Sequence, residues 1–198
     1  MRRRSPKLLT IALSLFLCAC PGGSNRGGTD IFQADETQEA AALVSEANVE
    51  LRKIKQLFNE GSQGLSELEQ AMRDRDEARV RAIADGFVTQ INKGSEMGEK
   101  AIEKIRQAEQ LNINEEFREY LSLKSAALSK YIQAFEERRQ AAIILRDGYD
   151  PKNAAKRDQV VGEFKAREEK FKTIMEEARQ LSEDANVLAK ESMRKAVQ

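Results

Sequence analysis

Cys18 and Cys20 stand one residue apart, after an apolar run and before a glycine-rich stretch. A thiol in such a place can be acylated, oxidised or used as a metal ligand. The chain has 198 residues and no histidine. That excludes Ser-His-Asp and Cys-His nucleophiles, histidine-ligated zinc or haem, the Glu-x-x-His di-iron pattern, and an imidazole switch between about pH 5 and 8. No CxxC pair or Gly-rich phosphate loop occurs. Glu136-Glu137 and Glu168-Glu169 are adjacent pairs. They point in different directions on a helix, so they read as solvated charge rather than acid/base dyads. Asp74-x-Asp76 lacks the rest of a calcium loop. No enzymatic activity, metal or cofactor is expected.

The first twenty residues give the thiols a context. Met1 to Lys7 is basic, and Leu8 to Leu17 is a ten-residue apolar run. The run is shorter than the roughly 20 residues of a membrane-spanning helix and suits a signal peptide. It closes on Leu17-Cys18-Ala19-Cys20. Here the chain resembles bacterial lipoprotein precursors, whose lipobox has an aliphatic residue, two small residues and a cysteine. Leu17, Ala19 and Cys20 fit, and Cys18 fills the middle position. Cys18 is a poor lipid site itself, because Leu17 would then stand where a small residue is wanted.

The resemblance implies cleavage between Ala19 and Cys20 and a thioether from Cys20 to diacylglycerol. In many bacteria N-acylation with a fatty acid such as palmitate follows. Each buried methylene contributes about 0.8 kcal/mol, so two or more chains anchor stably. Cys18 would leave with the signal peptide, and the mature chain would have no thiol for disulfides or redox work. Removing Arg2, Arg3, Arg4 and Lys7 from 33 basic residues leaves 29 against 33 acidic, a net charge of −4. This gives no basic signal for nucleic acid. Murein-attached lipoproteins end in a lysine; this chain ends Lys195-Ala-Val-Gln198, so that coupling is not expected.

Three segments follow: a signal peptide over 1–19, the lipidated cysteine with a flexible linker over 20–34, and a helical domain over 35–198. Pro21 to Asp30 holds four glycines and reaches at most about 35 Å when extended.

The helical domain must position everything else. Ala47, Leu51, Ile54, Phe58, Gly61, Leu65, Leu68 and Met72 repeat in a 4-3 rhythm, one stripe of a first helix. Val80, Ile83, Phe87, Ile91, Gly94, Met97, Ala101, Ile105 and Ala108 form a second. Phe117, Leu121, Lys124, Leu128, Tyr131, Phe135, Arg138, Ala142 and Leu145 form a third. Val161, Phe164, Phe171, Met175, Ala178, Leu181, Ala185, Leu188 and Ser192 form a fourth. Expected caps are Asp35 with Gln38, Asp74 with Glu77, Asn112 or Asn114, and Asp150 followed by Pro151. Gly148 suits the C′ position of the third helix. Glu77–Arg81, Glu96–Lys100, Glu163–Arg167, Glu168–Lys172 and Glu191–Lys195 have i,i+4 spacing, each contributing about 0.2–0.5 kcal/mol. The first turn is placed at Arg73–Asp76; a break at Gly61–Gly64 is the alternative. No strand pattern occurs. The expected fold is all-α, an elongated antiparallel up-down-up-down four-helix bundle with coiled-coil-like packing.

This topology puts the lipid, the Gln110–Glu115 loop and the C-terminus at a membrane-proximal end. The turns at Arg73–Asp76 and Asp147–Pro151 share the distal end. Arg73, Arg75, Arg146 and Tyr149 are the candidate partner-binding residues there. Gly61, Gly64 and Gly86 lie at matched heights, for close packing or a small ligand cavity. Phe117, Tyr131, Phe135, Phe164 and Phe171 read as core, with the lining of a ligand pocket as the alternative. Arg138 interrupts the third stripe, either to snorkel, to pair with a glutamate or to meet an anion.

The expected role is a non-enzymatic scaffold or adaptor in the bacterial envelope, extracytoplasmic and held by membrane lipid, with an envelope protein as partner. A sensory or carrier module holding a small ligand is the alternative. Homo-oligomerisation is left open, because long amphipathic helices also associate between chains.

Overall fold

The computed structural model describes residues 36–195, with the side chains of 55, 58–63 and 192–195 left aside. Four α-helices account for nearly all of this segment: α1 Thr37–Asp74, α2 Glu77–Glu109, α3 Glu115–Gly148 and α4 Ala154–Lys195. The fold is all-helical, with no strand among the described residues. At 1.5 Å per residue the 38 residues of α1 span about 57 Å.

Consecutive helices run antiparallel. Glu36 meets Asn112, Glu46 meets Lys104, and Gly64 meets Phe87, so numbers rise on α1 as they fall on α2. Gly98–Ile132 and Asp85–Arg146 do the same for α2 and α3. Lys130–Glu177, Arg138–Glu168 and Gly148–Val160 do so for α3 and α4. Among the described residues, no Cα of α1 lies within 8 Å of one in α3 or α4, and none of α2 lies that near α4.

The core has three parts. At the end where α1 begins, Ala40, Val44, Ala47, Ile102, Ile105, Ile113, Leu121 and Leu128 cluster from three helices and the α2–α3 loop. In the middle, Ile54, Ile91, Phe135 and Phe171 bring in all four helices. At the other end Leu68, Ala71, Val80, Leu145, Tyr149 and Val160 do so again. Each large side chain taken fully from water contributes about 1.5–3 kcal/mol. These clusters, more than propensity, hold the helices.

The first turn falls where expected. α1 continues unbroken through 61–64, so the alternative break is absent. Arg75 takes the left-handed conformation at φ 57°. Its N–H donates to the Met72 carbonyl at 3.3 Å, and the Asp76 N–H donates to that of Ala71 at 3.0 Å. This is the Schellman pattern, usually built on glycine.

Several caps differ from expectation. Asp76, not Asp74, caps α2 by accepting from the Arg79 N–H at 3.0 Å. The left-handed residue uses up Arg75, so the cap falls on the next position. Asp74 instead accepts from the Gln70 amide. Asn114 caps α3 at 2.8 Å from the Phe117 N–H. Asp150 caps no helix: it accepts from the Lys152 and Asn153 N–H groups, and Asn153 caps α4 through the Lys156 N–H at 3.1 Å. Pro151 therefore lies in a turn before α4, and Gly148 is the last residue of α3 rather than one beyond it.

Asp35 lies outside the described residues. The N-cap of α1 is Glu36, whose side chain makes no capping bond. Its carboxylate accepts from the Asn112 N–H at 2.6 Å, while its own N–H donates to the Asn112 carbonyl at 3.1 Å. The start of α1 is thus clasped to the α2–α3 loop.

Candidate functional site

Cys20 and the cleavage position at Ala19 lie outside the described residues. The candidates that can be placed are the residues of the two turns, the interrupted seam of α3, and the glycines.

The first and third turns share one end. Tyr149 follows α3 in extended backbone, and its hydroxyl donates to the Met72 carbonyl at 3.1 Å. This corrects the reading of Tyr149 as a partner-binding aromatic. It is 1% exposed and belongs to the core cluster of Leu68, Val80 and Leu145. Burial pushes its phenol above the ordinary range. The sequence carried the signal: Leu121, Leu128, Phe135, Ala142 and Tyr149 repeat every seven residues, and all five are buried.

Arg73, Arg75 and Arg146 do reach solvent at this end. The Arg73 guanidinium donates to the Gln70 side chain at 2.8 and 3.2 Å and lies 3.7 Å from Glu69. Arg146 holds Asp147 through two bonds of 2.8 and 3.1 Å and reaches Asp85 at 3.4 Å. The guanidinium holds the Asp147 carboxyl below its usual range. Two of the three cations are thus engaged within the protein, in exposed pairs that water and salt screen. Arg75 is exposed and carries the left-handed backbone.

At mid-height Arg138 pairs with a glutamate, Glu168 on α4. Its Nε and Nη2 donate to both oxygens of Glu168 at 3.0 and 2.7 Å. The guanidinium carbon sits 3.6 Å from the centre of the Phe171 ring. Beside it Arg167 donates to Glu137 at 2.7 Å. Two expectations change here. Glu168 is buried rather than solvated, and Glu137 crosses to the neighbouring helix. Arg167 and Glu168 therefore pair with α3 rather than with Glu163 and Lys172; Lys172 takes Glu169 instead. Periodicity places charges on a helix face but does not say which neighbour they meet. Glu77–Arg81 forms as expected, at 2.8 Å.

The glycine at Gly64 is a close-packing position. A Cβ there would lie 2.7 Å from the Phe87 ring, so the ring fills the space. At Gly98 the nearest atom of Ile132 would be 3.0 Å away. Gly86 has open space around it, and the side of Gly61 is not described. An open depression on α4 is lined by Lys172, Thr173, Glu176, Glu177 and Gln180. Its lining is charged or polar and lies on a single helix, and it presents no convergent donors.

Phe135 and Phe171 are buried, while Phe117, Tyr131 and Phe164 are half-buried against the core. Phe117 stacks on Tyr120, with Lys124 over the Tyr120 ring. No group of three carboxylate or thiol side chains suited to a metal occurs among the described residues. None of their helices is long and apolar enough to cross a membrane. No family model, no curated protein and no solved structure matches the chain.

Proposed function

We propose that this chain is a lipid-anchored, non-enzymatic scaffold or adaptor of a bacterial envelope. Cys20 carries the lipid after cleavage behind Ala19. The glycine-rich linker joins it to an up-down-up-down bundle of four helices outside the cytoplasmic membrane. The N-terminal series of basic segment, apolar run and Leu17-Cys18-Ala19-Cys20 supports the anchor.

The observation that carries the scaffold reading over the ligand-binding alternative is the Phe87 ring in the space beside Gly64. A carrier or sensory bundle needs room between helices. The matched glycines were the sequence's best offer of such room, and an aromatic ring takes it.

The clasp of Glu36 on Asn112 supports the orientation. It keeps the start of α1 beside the α2–α3 loop, at the end opposite the turns around Arg75 and Tyr149. Partner contact at that end would fall to Arg73, Arg75 and Arg146. Crosslinking of the lipidated protein in its own cells, followed by mass spectrometry, tests the adaptor role. One envelope protein, lost on Arg73→Ala, Arg75→Ala and Arg146→Ala together, is the expected result. No capture above background would contradict it.

A further inference from the structure

We propose that the crossed ion pairs Arg138–Glu168 and Glu137–Arg167 lock the register of α4 on α3. The need for a lock follows from the rest of that interface. α3 offers Ala127, Ala134, Ala141 and Gly148 at seven-residue intervals, the three alanines fully or almost fully buried. α4 answers with Phe164, Phe171, Ala178 and Ala185 at the same interval. A seven-residue slip keeps both seams apolar, with Phe171 in the place of Phe164 and Ala178 in that of Phe171. Packing opposes it through the loss of Phe171 from the middle cluster and of Val160 from the far one, while the small side chains of α3 add little shape to resist it.

The connection between the helices does not prevent that slip. Moving α4 so that Gly148 faces Arg167 instead of Val160 requires only that residues 154–160 join the loop. Of those seven, Val160 alone is buried. The outer pair tolerates the move too: Lys130, now 2.6 Å from Glu177, would face Asp184.

The central residues do not tolerate it. After the slip Glu168 would face Leu145 and Arg167 would face Ile144. Arg138 would face Met175 and Glu137 would face Ile174. Four charges would sit against apolar side chains. The Arg138 and Glu168 side chains are now only 18% and 12% exposed. Removing the partner of a charge buried this far leaves it uncompensated, whereas replacing both members by apolar residues is often neutral. That asymmetry suits a device for uniqueness rather than for stability.

The test uses the full chain with Cys18→Ser and Cys20→Ser, spin-labelled through Ser122→Cys and Thr173→Cys, both exposed positions. Pulsed dipolar spectroscopy should give one narrow distance. The neutral variant Glu137→Gln, Arg138→Leu, Arg167→Gln, Glu168→Leu should stay folded and add a second distance longer by about 10 Å, seven residues at 1.5 Å each. Exchanging the charges between helices (Glu137→Arg, Arg138→Glu, Arg167→Glu, Glu168→Arg) should restore the single distance. A neutral variant with the original distance alone overturns the proposal. So does one that unfolds, which would make the pairs a source of stability. Failure of the exchanged variant to recover the single distance overturns it as well.

Discussion

Tyr149 brings a hydroxyl into an apolar cluster, and the Met72 carbonyl receives it. Removing that hydroxyl by Tyr149→Phe keeps the ring's packing and loses one net hydrogen bond, about 1 kcal/mol. Urea unfolding should show the lower midpoint. Burial holds both Tyr149 and Tyr131 above the ordinary phenol range, against the weaker opposing influence of the Ser182 hydroxyl on Tyr131. A raised folded value means that the contribution is complete below about pH 10 and is lost as the pH rises through the raised values. Stability should therefore fall on the alkaline side, and less steeply in Tyr149→Phe. Arg75 shows the opposite case, an L-residue at φ 57°. Arg75→Gly should raise stability by about 1 kcal/mol, since glycine accepts that backbone without strain; a lower thermal midpoint would contradict this. At this scale the sequence was partly legible. The seven-residue repeat ending at Tyr149 announces a buried ring, but a turn composition of Asp, Gly and Pro around it suggests exposure. The pairing of Arg138 with Glu168 depends on the α3–α4 register, which neither residue's own neighbours reveal.

At the level of the helices, space decides what each glycine is for. A Cβ on Gly148 would stand 2.9 Å from a Val160 methyl, while one on Gly162 would meet nothing within 4 Å. Valine is stiff about χ1 and cannot swing aside. Gly148→Ala should therefore destabilise by about 1–3 kcal/mol, and Gly162→Ala should stabilise by up to about 1 kcal/mol through helix propensity. Parallel denaturant titrations would separate the two signs, and equal shifts would contradict the packing described here. The helices themselves were readable because their apolar residues recur at 3 and 4 positions. The turn at 73–76 was readable from the gap in that rhythm. The caps were less so: Asp74, Asp76, Asp150 and Asn153 are chemically equivalent cap candidates. The left-handed Arg75 and the turn held by Asp150 choose among them. The clasp of Glu36 on Asn112 joins residues 76 apart in sequence, beyond the reach of any local pattern.

For the whole molecule, the described helices carry exposed charge and the Phe87 ring fills the space beside Gly64, and the proposed lipid anchor is Cys20. The scaffold reading needs the helical domain held at a membrane from one end. The measurement that tests this most directly is metabolic labelling with a radioactive fatty acid, read together with membrane fractionation. The wild-type chain should carry label, sediment with membranes and enter the detergent phase. Cys20→Ser should lose the label and the detergent-phase partition, and Cys18→Ser should change neither. Label retained in Cys20→Ser, or an unlabelled wild-type chain recovered in the aqueous phase, would contradict lipid anchoring through Cys20.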